Sequence, residues 1–164
     1  MFNFKDYIED VQDFPKEGIV YRDIQPLLEN PHVLKTAITN MKQLTNFVGV
    51  DYWVGIESRG FIFAAALAEQ SYCGFKMIRK AGKLPDKNHV LHGVSYDLEY
   101  GSASIQMKSG KGNVILVDDV YATGGTMDAA EKLCISAGYN VIDKVCLLDI
   151  GIRKNHDVKC LIKY

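Results

Sequence analysis

No apolar run in the 164 residues approaches the ~20 that a membrane-spanning helix requires, which argues against a transmembrane protein. The first residues, Met1-Phe2-Asn3-Phe4-Lys5-Asp6, lack the basic stretch followed by an apolar one that marks a secretory signal. Cysteine is sparse and scattered. Cys73, Cys134, Cys146 and Cys160 form no Cys-x-x-Cys pair, and three of them sit in apolar stretches as small core residues. A disulfide framework or zinc site is therefore not expected, and a reducing cytoplasm is. His89 and His92 have no acid or cysteine partner at ligand spacing and read as surface loop residues. The net charge of −1, with Lys and Arg spread along the chain, gives no support to a nucleic-acid binder. There is no internal repeat and no low-complexity segment. No Gly-Lys-Ser/Thr closes a glycine loop, so a Walker A nucleotide site is excluded.

What is present is an ordinary globular composition, 48% apolar and 24% charged, long enough for one domain with a real core. Apolar strands alternate with helical periodicity. Helices are predicted over Pro31–Phe47, capped by Asn30, over Gly60–Gln70 and over Gly125–Ala137, which Gly138 terminates. Strands are predicted over Tyr52–Ile56, Phe75–Ile78, Val114–Val117 and Val141–Leu148, with a last edge strand at Leu161–Tyr164. A polar stretch runs from Arg79 to about Gly93, and Tyr96–Leu98 with Ser102–Met107 form a hairpin. Such alternation implies an α/β fold, a parallel sheet with helices on both faces and ligands at the C-terminal strand edge.

The most informative segment is Val114 to Thr126. An apolar strand ends in the paired acids Asp118 and Asp119. A loop of small residues, Ala122-Thr123-Gly124-Gly125-Thr126, then opens a helix. Backbone N–H groups at that helix start make an anion cradle. Carboxylates beside it imply a ligand that also carries hydroxyl donors or a divalent cation. A phosphorylated sugar with free hydroxyls fits both. Glu57-Ser58-Arg59-Gly60 follows strand Tyr52–Ile56 in the same way, so its loop shares the sheet edge. Arg59 can fork onto a phosphate, or pair with Glu57 or Glu69. Arg79, Lys80 and Lys83 are three cations within five residues, suited to a pyrophosphate or simply a solvated turn. Glu99 reads as a hairpin glutamate, and Asp13 to Ile24 only as an irregular, partly apolar segment.

Together these segments resemble the type I phosphoribosyltransferases, and within them the adenine-specific branch. The matching strings are Phe14-Pro15, Gly18-Ile19-Val20-Tyr21-Arg22-Asp23-Ile24, Glu57-Ser58-Arg59-Gly60-Phe61, Arg79-Lys80-Ala81-Gly82-Lys83-Leu84-Pro85, Leu98-Glu99-Tyr100-Gly101 and the Asp118–Thr126 run, all in the family's order. The resemblance implies a twisted parallel sheet flanked by helices, in one domain spanning 1–164. It adds a small N-terminal hood (about 1–28) and a flexible catalytic loop with hairpin (about 79–107). It implies transfer of the 5-phosphoribosyl group from phosphoribosyl pyrophosphate (PRPP) to adenine, giving AMP and pyrophosphate. In that scheme Asp118 and Asp119 hold the ribose hydroxyls. Ala122, Thr123, Gly124, Gly125 and Thr126 hold the 5′-phosphate. Glu57, Ser58, Arg59, Arg79, Lys80, Lys83 and Tyr100 complete the PRPP site. Val20, Tyr21 and Arg22 bind the base, Tyr21 by stacking, and Glu99 is the catalytic acid–base. Mg2+ is expected to be held mainly through PRPP, with no metal ligands on the protein. A homodimer is implied, and a cis peptide joining Glu57 to Ser58. The same fold acting on another purine base, or as a PRPP-sensing regulator, are the rival readings. The chain departs from the family at Glu57 for Asp, Tyr21 for Phe, Val120-Tyr121 for an aliphatic pair, and in a longer Asp86–Val94 segment.

Overall fold

The computed structural model describes residues 3–85, 91–98 and 101–164. Its axis is β7 (Gly112–Tyr121). Side chains alternate across a strand, so an unbroken apolar run needs cover on both faces. Ile115 and Val117 join a core with α1 (Gln25–Glu29), α2 (Pro31–Leu44) and α3 (Gly60–Ser71). Val114 and Leu116 join the opposite core with α4 (Gly125–Ser136). In β3 (Tyr52–Ile56) Trp53 faces the first core, and Val54 and Ile56 the second.

The seven-stranded sheet has the order β5-β6-β4-β3-β7-β8-β9, where β4 is Gly74–Lys80, β5 Leu91–Leu98, β6 Gly101–Lys108, β8 Tyr139–Asp149 and β9 Lys159–Lys163. β4, β3, β7, β8 and β9 are mutually parallel, and β5 and β6 add an antiparallel hairpin at one side. The α/β fold with helices on both faces is thus as the sequence implies. In the β7–β8 ladder the register shifts between Val114 and Ile115. Val114 pairs with Val141 and Ile115 with Asp143, so Ile142 is an extra residue on β8. Asn30 caps α2, its side chain accepting from the N–H groups of His32 and Val33. Among the described residues no helix is long and apolar enough to cross a membrane.

Several boundaries differ from the sequence expectation. Within Asp13–Ile24 the stretch 13–19 is irregular as expected, but residues 20–23 are strand. β1 (Glu9–Gln12) and β2 (Val20–Asp23) form an antiparallel ribbon. The polar stretch after Phe75–Ile78 is shorter, because β4 continues to Lys80 and β5 starts at Leu91. His92 accordingly lies in β5 and not in a loop, while His89 lies outside the described residues. α2 ends at Leu44, where Thr45 leaves helical geometry. Asp118 and Asp119 belong to β7 itself, whose ladder with β8 runs on to Tyr121 opposite Asp149.

Candidate active site

The C-terminal ends of β3 and β7 bring two loops together. The contact depends on a glycine. At Gly60, the first residue of α3, an added Cβ would stand 2.7 Å from the Val117 carbonyl oxygen and 3.1 Å from Asp118 Oδ1. Only a residue without a side chain lets α3 start against β7 at the acid pair. That approach delivers Arg59 to Asp119, with Arg59 Nε 2.7 Å from Asp119 Oδ2. Arg59 Nη1 also donates to the Tyr21 hydroxyl at 2.6 Å, and the guanidinium lies 5.3 Å from the centre of the Tyr21 ring. One arginine therefore links the β2 ribbon, the loop after β3 and the acids of β7. Its partner is Asp119 and not Glu57 or Glu69.

Glu57 serves elsewhere. Its carboxylate accepts from Arg79 Nε at 3.2 Å, Arg79 Nη2 at 3.4 Å and the Lys80 N–H at 2.7 Å. Those bonds, the Arg79 bond foremost, hold the Glu57 carboxyl below the usual carboxylate range. The peptide between Glu57 and Ser58 is cis, as the family resemblance implies. Arg79 and Lys83 line a groove of about 310 Å3 with Phe75, Met77 and Pro85. The loop after β3 and the basic end of β4 are thus tied together through Glu57.

The acid pair sits where alternation predicts. Asp119 turns toward Arg59, while Asp118 lines a small cavity of about 60 Å3 with residues 120–127. Asp118 Oδ1 also accepts the Asp119 N–H at 2.9 Å. Burial is the largest influence on both carboxyls and pushes both up. The neighbouring Asp119 charge adds to the effect at Asp118, whereas the Arg59 guanidinium pulls Asp119 back. The pair is an excess of negative charge that hydroxyl donors or a cation would relieve. At the cradle, Gly124 adopts φ +87° as the residue before α4, a conformation that favours glycine. Tyr121 is only 2% exposed, so its ring is part of the core and only its hydroxyl comes near Gly124.

On the other side of Arg59 a cavity of about 150 Å3 is lined by Ile19, Val20, Tyr21, Arg22, Val120 and Ile150. Phe14 packs edge-on against Tyr21 with ring centres 5.2 Å apart. The Arg22 side chain pairs with Asp10 and lies 4.1 Å from the centre of the Tyr164 ring. Glu99 and Tyr100 lie outside the described residues. Sequence reasoning missed the segment after β8. Ile150 lines this cavity, its N–H donating to the Tyr121 carbonyl at 3.1 Å, and the Arg153 N–H donates to the Ala122 carbonyl at 3.3 Å. No local motif marks these residues, and only the return of the chain from β8 to β9 brings them in.

Residues 24–164 match the phosphoribosyl transferase domain family. An adenine phosphoribosyltransferase of Bdellovibrio bacteriovorus is 49% identical over 148 residues, covering 90% of this chain and 88% of that one. The crystal structure of the adenine phosphoribosyltransferase from Thermoanaerobacter pseudethanolicus superposes with a TM-score of 0.88 at 34% identity, covering 98% of each chain. The enzyme from Giardia lamblia, solved with 9-deazaadenine, gives a TM-score of 0.85 at 32% identity over 97% of this chain and 94% of that one.

Proposed function

The chain belongs to the adenine phosphoribosyltransferases, and from that premise we propose how its residues divide the work of converting adenine and PRPP to AMP and pyrophosphate. The observation that carries the reading is the meeting at Arg59 of Tyr21 and Asp119, at 2.6 and 2.7 Å. A base site and a ribose site must adjoin for the ring nitrogen to reach C1′, and Arg59 stands between the two cavities.

In this reading adenine stacks on Tyr21 in the cavity beside Val120 and Ile150. The Val20 carbonyl accepts from its 6-amino group, and the Arg22 backbone reads the same edge. A 6-oxopurine would set an acceptor against that carbonyl, and a buried unpaired group is strongly discriminated against. Asp118 and Asp119 accept from the 2′- and 3′-hydroxyls, which removes the penalty of their shared burial. The N–H groups from Ala122 to Thr126 hold the 5′-phosphate at the start of α4. Arg59, Lys80 and Lys83 offset charge on the departing pyrophosphate. Glu57 and Ser58 shape the loop, and Arg79 is oriented by Glu57. Purine N9 attacks C1′ as the C1′–O bond to pyrophosphate breaks, and Glu99 manages the proton at the imidazole edge. The loop and hairpin of about residues 79–107, Tyr100 included, serve to keep water from the reacting atoms.

Mg2+ brought by PRPP would further neutralise the diphosphate. The acid pair fits a cation-bearing ligand, and among the described residues no three His, Cys, Asp or Glu side chains converge as a cage of their own. We take the chain as one domain with its hood at about 1–28. It pairs as a homodimer, which the exposed Phe75 and Met77 beside Lys83 support. It works in the cytoplasm, which four unpaired cysteines support.

The test is product formation with Mg2+ and PRPP, offering adenine, hypoxanthine, guanine and xanthine separately. AMP from adenine alone, lost in Glu99→Ala and in Asp118→Asn/Asp119→Asn, is expected. IMP, GMP or XMP would overturn the base assignment. PRPP binding without turnover would overturn catalysis in favour of sensing.

A further inference from the structure

The loop joining β8 to β9, residues 150–158, is fastened to the cradle at both ends. Ile150 and Arg153 donate their N–H groups to the carbonyls of Tyr121 and Ala122. Asp149 accepts the Gly151 N–H at 2.8 Å and lies 3.2 Å from His156 Nε2, while the His156 ring packs 4.3 Å from that of Tyr121. So anchored, the loop sends the Arg153 side chain across Gly124. A Cβ on Gly124 would collide with Arg153 Nη1, and would stand 3.0 Å from its Cδ and 2.7 Å from the Tyr121 hydroxyl oxygen. Arg153 Nη1 donates to Asp128 Oδ2 at 2.6 Å. The side chain is 41% exposed, so it stands at the mouth of the cradle and not within the core.

Asp128 gives this arrangement its meaning. It lies in the first turn of α4. An acid there suits the helix, but it opposes a phosphate bound to the same turn. Arg153 cancels that charge. Its planar guanidinium carries five donors in a fixed fork, more than one carboxylate oxygen uses, and phosphate is a natural second acceptor. We infer that Arg153 is a binding residue for the ribose 5′-phosphate of PRPP and AMP, held ready by Asp128 over the backbone of Gly124. The inference rests on reading Ala122–Thr126 as the phosphate cradle.

The experiment compares phosphorylated and unphosphorylated ligands. Dissociation constants for AMP and adenosine are measured by calorimetry on wild type, Arg153→Ala and Arg153→Lys, alongside KM for PRPP and for adenine. Loss of a charge-assisted bond predicts AMP binding and KM for PRPP weakened by roughly 10-fold in Arg153→Ala. Adenosine binding and KM for adenine hold, and Arg153→Lys recovers part of the loss. An unchanged AMP affinity in Arg153→Ala overturns the inference. So does an equal weakening of AMP and adenosine with a fall in Tm, which would make Arg153 a clip for the loop alone. Wild-type protein that makes no AMP would instead overturn the activity, and is scored separately from these ratios.

Discussion

Substituting Gly60→Ala tests the contact on which the site is built. The new methyl would meet the Val117 carbonyl oxygen at 2.7 Å and Asp118 Oδ1 at 3.1 Å, with Asp118 Cα at 3.3 Å. Relief to an ordinary contact moves the start of α3 from β7 by roughly 0.7 Å. Both obstacles near 3 Å belong to β7, which is paired on both sides by β3 and β8, so the helix must yield. Overpacking of this kind costs about 1–3 kcal/mol, and the small gain from placing Ala in a helix subtracts little at its first position. For a chain of this length that is a fall in Tm of roughly 2–12 °C. The displacement also opens the 2.7 Å pair between Arg59 and Asp119, and a 1 Å error in such a site costs about 100-fold in rate. Thermal unfolding by circular dichroism and kcat/KM for PRPP are the assays. Ile62→Ala, two residues along the same helix at a 43% exposed side chain, is the control and should shift stability by no more than about 0.5 kcal/mol. A Gly60→Ala protein with wild-type Tm and wild-type kcat/KM would refute the argument that this glycine assembles the site.

Tyr21→Phe keeps the stacking ring and removes only the hydroxyl bonded to Arg59. With Arg59 37% exposed, the loss is about 0.5–1.5 kcal/mol, read as a weaker mutual enhancement of adenine and PRPP binding. If adenine affinity measured with and without PRPP is the same in both proteins, the hydroxyl is not a link. Asp118→Asn removes one charge from a pair whose carboxyls burial already raises, and should raise Tm at pH 7 while abolishing turnover. A raised carboxyl destabilises the fold as pH climbs through its range, so the difference between variant and wild type should shrink on acidification. Equal Tm values across pH would sink this reasoning. Glu57 is the opposite case. Its lowered carboxyl contributes stability above the value it has unfolded, and loses it as pH falls through the folded value. Glu57→Gln should therefore be less stable than wild type near neutrality and converge with it in acid. An undiminished gap at low pH would contradict the Arg79 pairing.

How far the molecule could be read from its sequence follows from where each signal resides. β3 was legible to the residue, because both of its faces are buried and its apolar run has no reason to break. The β1–β2 ribbon was not. Its residues are exposed or half-buried, so no period of two reaches the sequence. The acids and the cradle were legible because strand end, loop and helix start are contiguous from Asp118 to Thr126. Partnerships were less so. Sequence proximity offered Glu57 to Arg59, but Glu57 reaches across to β4 and Gly60 delivers Arg59 to β7. Ile150 and Arg153 gave no sign at all. Their place at the site depends on β8 running parallel beside β7, which sets the chain following each strand at the same edge.

The extra residue Ile142 makes strand length a matter of parity. Below it, at Val114, the ladder can absorb a residue in the bulge. Above it, from Ile115 to Asp119, every position counts. A single insertion between Ile115 and Asp118 would exchange the faces of the two acids, offering Asp118 to Arg59 and Asp119 to the cradle. A double insertion would restore the faces but lift both acids about 6.5 Å along the strand. The distance from bulge to acid pair should accordingly be among the least variable lengths in proteins built this way.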